Sequence, residues 1–172
     1  HKKKPFGSAA DENSVMVELA RYVEASIIEK YNFSEFIIPD SNELNDIPTS
    51  SVLVSNKFDE KDELLIICIN QSGSQMGIFS RTMCFDEGLN KGTMIPYVKR
   101  AIDNNYGVII LRPNTNTVGL PGKKVPIPGS ESPEIHALCA WENVVTQCSA
   151  KRIMLFGYGN GAHLCHELFL KS

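Results

Sequence analysis

The residues best placed to do chemistry are Gly157-Tyr158-Gly159-Asn160-Gly161, which follow the short apolar run Ile153-Met154-Leu155-Phe156. Their spacing is that of a nucleophile elbow, G-x-S-x-G. There a sharp strand-to-helix turn lifts a serine hydroxyl toward an ester or amide carbonyl. The central position here is Gly159. Glycine accommodates the turn without steric penalty but brings no oxygen to attack with. The pattern keeps the geometry of acyl transfer and lacks its nucleophile.

Acyl transfer also needs a histidine base, an acid to orient it and donors for the developing oxyanion. In hydrolases with this elbow the acid and histidine follow the nucleophile along the chain. Gly159 lies close to the end of the sequence, so no strands bearing them follow. His163 and His166 fall in the helix immediately after the turn, where the base does not normally originate. Asn70, Gln71, Ser72 and Gly73 come after the first long apolar strand, the usual position of an oxyanion loop. They are its degenerate counterpart, or else a plain polar turn. Ser72 and Ser74 have no base near them in sequence, and no catalytic residue is assigned.

Neither a cofactor nor a metal is expected. The glycines at 157, 159 and 161 miss the G-x-G-x-x-G spacing of a dinucleotide site, and the lysine of a phosphate loop is absent. His163 and His166 share a helical face, but Cys165 points elsewhere and no second ligand cluster is evident. Trp141 reads as a packing anchor.

These residues need strands and helices to hold them. Apolar spacing predicts a first helix over residues 14–28, with Val15, Leu19, Tyr22, Val23 and Ile27 inward, and Glu18 and Glu24 in water. Asp11, Asn13 or Ser14 would cap it. Extended segments are predicted at 36–38, 52–54, 64–69, 106–111 and 152–156. Further helices are predicted at 95–104, from Ser132-Pro133-Glu134 to about 146, and at 162–170. The apolar face of the helix from 132 would carry Ile135, Leu138, Cys139, Trp141 and Val145. Residues 115–129, with three prolines and three glycines, read as a mobile loop.

Alternating strands and helices predict an α/β three-layer sandwich, similar to an α/β-hydrolase and built on a mostly parallel sheet. Gly159 should sit at the carboxyl end of a central strand. Residues 1–172 read as one domain whose C-terminal part is missing. Five scattered cysteines suit a reducing compartment better than a disulfide framework. A net charge of -3 argues against broad affinity for nucleic acid, leaving direct RNA binding as an alternative. No apolar run is long enough to cross a bilayer.

Several segments together resemble the Arb2 domain family. The block running from Met83-Cys84-Phe85-Asp86-Glu87-Gly88-Leu89-Asn90 through Lys91-Gly92-Thr93-Met94-Ile95-Pro96-Tyr97 is the most specific. Tyr106-Gly107-Val108-Ile109-Ile110-Leu111-Arg112-Pro113-Asn114 and Trp141-Glu142-Asn143-Val144-Val145 extend it. The resemblance implies histidine and serine in many members where this chain has Tyr158 and Gly159. It likewise implies a histidine-glycine-serine-glycine turn in place of Asn70-Gln71-Ser72-Gly73. It further implies a nuclear role, extending to the cytoplasm, with protein partners from histone deacetylase or Argonaute-type complexes. The expected function is a noncatalytic interaction module in heterochromatin or RNA silencing. The alternative is a divergent serine hydrolase using, for example, Ser72.

Overall fold

The computed structural model describes residues 9–39, 47–70, 76–119 and 122–171. Five strands form one sheet: β1 (Phe33–Ile38), β2 (Ser50–Ser55), β3 (Glu63–Asn70), β4 (Gly107–Ile110) and β7 (Arg152–Gly159), in the order β1-β2-β4-β3-β7. A separate hairpin joins β5 (Thr117–Val118) to β6 (Val125–Pro126). The helices are α1 (Ala9–Tyr31), α2 (Arg81–Glu87), α3 (Leu89–Gly92), α4 (Ile95–Asp103), α5 (Pro133–Asn143) and α6 (Gly161–Lys171).

The mostly parallel sheet expected from the sequence is not what forms. β1–β2, β2–β4 and the β5–β6 hairpin are antiparallel, while β3–β4 and β3–β7 are parallel. Three of these five pairings are therefore antiparallel, and the five-stranded sheet is mixed. The reason lies in the connections. A parallel return needs a crossover of about a dozen residues. Between β2 and β3 lies a short link holding a single 3₁₀ turn, Phe58–Glu60, so these strands run in opposite directions. The longer links from β3 to β4 and from β4 to β7 contain helices, and there the strands are parallel.

Side chains alternate across the sheet with period two. Ile67 and Ile69 of β3, Val108 and Ile110 of β4 and Leu53 of β2 pack with α1 and α4. Leu64, Ile66, Cys68, Ile109, Val52 and Val54 pack on the opposite face with α5 and α6. Helices thus cover both faces, which explains the continuous apolar run in β3.

The inward faces of two helices differ from expectation. In α1 the buried side chains are Met16, Ala20, Val23, Ser26 and Ile27, whereas Val15 and Tyr22 are exposed. Glu24 is engaged by Arg112 rather than left in water. The expected caps Asp11, Asn13 and Ser14 lie inside α1. In α5 the buried residues are His136, Ala137, Cys139 and Ala140, and Ile135 faces out. Its start is as predicted, with Ser132 Oγ accepting from Ile135 N at 3.3 Å and proline in the first turn. Apolar spacing alone favoured the larger side chains. It missed the face built from small residues and one histidine.

Candidate functional site

The strand ends that lead into the two glycine-bearing segments lie side by side at one end of the sheet. Asn70 pairs with Gly159 in the parallel register of β3 and β7, so both segments leave the sheet side by side at the strands' carboxyl ends. Gln71, Ser72 and Gly73 lie outside the described residues. One expectation needs correcting: among the described residues β7 is the edge strand rather than a central one, pairing with β3 alone.

The turn itself is tight. Gly159 has φ +60°, a left-handed conformation that costs an L side chain energy. Gly157 is needed for a different reason. A Cβ there would come within 2.5 Å of Ala162 Cα and 2.6 Å of Gly161 O, so only glycine lets α6 close onto β7. Asn160 O accepts from His163 N at 3.1 Å and Leu164 N at 3.3 Å, which starts α6. Tyr158 does not point a reactive group at the tip. Its ring packs on Phe79 with centroids 4.9 Å apart, in a cluster completed by Phe156 and Tyr97. Gly159 leaves backbone alone at the exposed tip.

At the end of β4, separated from β7 by β3, lies a polar cluster that the sequence did not reveal as a site. Arg112 Nη1 reaches Glu35 at 2.9 Å and Ser51 Oγ at 3.0 Å, and its Nη2 meets Glu24. Its Nε is buried without a hydrogen-bond partner among the described residues. Arg112 N–H donates to Nε2 of the fully buried His136 at 3.0 Å. A backbone N–H can only donate, so Nε2 is the acceptor and the ring proton sits on Nδ1. Nδ1 faces Ser130 Oγ at 3.0 Å and Ser50 Oγ at 3.3 Å, and Ser130 O–H donates onward to Thr115 O at 2.7 Å. Burial, reinforced by the Arg112 charge, lowers the His136 pKa from 6.5 to about 4. The imidazole is a neutral post with both nitrogens engaged, not a free base.

This post pins the segment expected to be mobile. Asn116 Nδ2 donates to Pro113 O at 3.0 Å and Ser130 O at 2.8 Å, Ile127 N donates to Asn116 O, and Ile127 is buried. The β5–β6 hairpin stands out from this base with Val118 and Val125 exposed. A cavity of about 140 Å³ lies between α1 and the ends of β3 and β4, lined in part by Glu24, Ile69, Met76, Arg112 and Thr115. Such a volume suits a few water molecules. His163, His166 and Glu167 are the one group of potential metal ligands gathered together among the described residues.

The pattern of the Arb2 domain matches residues 9–172. The chain belongs to the Arb2 family. An Arb2 relative from Mus musculus, the cotranscriptional regulator ARB2A, is 33% identical over 109 residues, covering 62% of this chain and 26% of the relative. A FAM172 family protein homolog from Caenorhabditis elegans is 28% identical over 114 residues, covering 66% of the chain and 35% of that protein. The Homo sapiens ARB2A is 23% identical across 89% of this chain and 48% of its own length. The Arb2 chain thus spans about a quarter to a half of these relatives. A solved histone deacetylase from Saccharomyces cerevisiae shares its fold, with TM-score 0.55 and 15% identity over 94% of this chain and 64% of that one.

Proposed function

We propose that this Arb2 chain is a noncatalytic protein-interaction module that works in the nucleus, within a chromatin, histone deacetylase or RNA-silencing complex. The observation that carries the reading is Gly159, which puts bare backbone at the turn where an acyl enzyme would present its oxygen. In this view Gly157, Tyr158, Gly159, Asn160 and Gly161 are a degenerate elbow, kept because α6 cannot pack without it. Asn70, Gln71, Ser72 and Gly73 are read as a degenerate oxyanion loop, of which Asn70 pairs with Gly159. The nuclear assignment, with the cytoplasm as a second compartment, draws on relatives described as cotranscriptional regulators.

The docking surfaces in this reading are the hairpin within residues 114–129 and the exposed end of α6. Val118 and Val125 sit opposite one another on the hairpin, held out by the His136 post. Phe169 and Leu170 are 69% and 64% exposed, an unusual share for side chains so apolar.

Affinity purification of the full-length protein under mild lysis, followed by mass spectrometry, tests the proposal. Recovery of deacetylase or Argonaute components, reduced by charged substitutions at Val125 or Phe169, is expected. Reproducible recovery of the protein alone would contradict it.

A further inference from the structure

We propose that His163, His166 and Glu167 on α6 form a binding site for a divalent transition-metal ion, zinc being the closest fit. Their potential ligand atoms all lie within 4.8 Å of one another. Spacings of three and four residues put the three side chains on one helical face, one turn apart. Two imidazoles and one carboxylate are a nitrogen-rich set that suits zinc better than calcium or magnesium, which prefer all-oxygen surroundings.

The reach is short. Donors around a tetrahedral zinc ion sit about 3.4 Å apart, from bonds of about 2.1 Å. Rotation about side-chain bonds therefore closes the remaining gap. Exposure makes that rotation inexpensive, since the His166 and Glu167 side chains keep 64% and 41% of their surface in solvent. Beneath them the helix is fixed, because Leu164, Cys165 and Leu168 are buried in the core. His166 Nδ1 already lies 3.8 Å from Glu167 Oε1, so carboxylate and ring face each other before any ion arrives.

Glu134, in the first turn of α5, lies near enough to His163 for the imidazole to help lower its carboxyl pKa, behind the larger effect of Ser132 and the backbone. Three donors from α6 leave one position of a tetrahedral ion for water. Of the donors read from the sequence, His163 and His166 take part, whereas Cys165 faces inward toward Cys68 and is not the third ligand. Glu167, a commonplace surface residue, takes its place.

Titration calorimetry of the tag-free chain with zinc chloride, and its absorption spectrum with cobalt(II), test the assignment. Saturable one-to-one binding is expected. His163→Ala and His166→Ala should each weaken it about tenfold or more, and Glu167→Gln by less. Circular dichroism verifies that each surface variant stays folded. Unchanged affinity in the double histidine variant, no saturable heat, or a thiolate-to-cobalt charge-transfer band would overturn the proposal.

Discussion

The backbone N–H of Arg112 donates to Nε2 of His136 at 3.0 Å, joining the end of β4 to α5, which begins at Pro133. That bond sets the ring's tautomer, and the tautomer sets Ser130 and then Thr115. The ordered base of the β5–β6 hairpin follows from one neutral imidazole.

Acid should therefore loosen this base first. The folded pKa of His136 is lowered to about 4 while the unfolded ring keeps its ordinary value, so between these pH values the unfolded chain binds more protons. Its stabilising contribution is complete above about pH 6.5 and declines as pH falls toward about 4. Urea unfolding should show this one group costing about 2–3 kcal/mol between pH 7 and pH 4.5. His136→Gln should reduce that pH dependence and destabilise the protein at pH 7, by about 1–3 kcal/mol.

Arg112 holds two carboxylates, and their burial ranks their importance. The Glu24 side chain is 32% exposed and that of Glu35 is 49% exposed, against 16% for Arg112. Removing the guanidinium leaves Glu24 facing Glu35 and Ser51 without a cation. Arg112→Met should destabilise by about 2 kcal/mol, less than a fully buried pair would lose because solvent screens both acids. Glu24→Gln should cost more than Glu35→Gln in the same denaturant titration.

The two turn glycines serve different ends and should respond differently. Gly157→Ala forces a methyl group against the α6 backbone and should destabilise by about 1–3 kcal/mol through overpacking. Gly159→Ala meets an unfavourable φ of +60° and should lose about 1–2 kcal/mol from backbone strain. Thermal melts of the two variants, with Gly122→Ala as a hairpin reference, separate these contributions.

The elements that position the site were legible in the sequence wherever a long apolar run, helical apolar spacing or a proline-marked start stood out. β3, α4 and the Ser132-Pro133 start of α5 are such cases. Strand direction was not legible, because it depends on how short the β2–β3 link is in space. Helices α2 and α3 are seven and four residues long and carry too little periodicity to read. The elbow was visible because glycine spacing is a local property. The Arg112–His136 pair was not, since it joins residues 24 apart through a contact made only after β4 and α5 pack.

All five cysteines are free thiols, four of them buried and Cys148 half-buried. Burial, then the Asp59 charge, raises the Cys148 pKa to about 11, so the most accessible sulfur carries little thiolate. The hydrogen bond with Cys165, followed by burial, pushes Cys68 higher still. A thiol-disulfide exchange reagent at pH 8 should react slowly with the native chain and with five thiols per chain once it is unfolded in urea.

The most direct test of the central claim is active-site chemistry on the full-length protein. A serine-reactive fluorophosphonate and a chromogenic ester should give no labelling above a heat-denatured control and no turnover. Stoichiometric labelling of a serine such as Ser72, with ester cleavage abolished by its replacement, would contradict a module that binds without reacting.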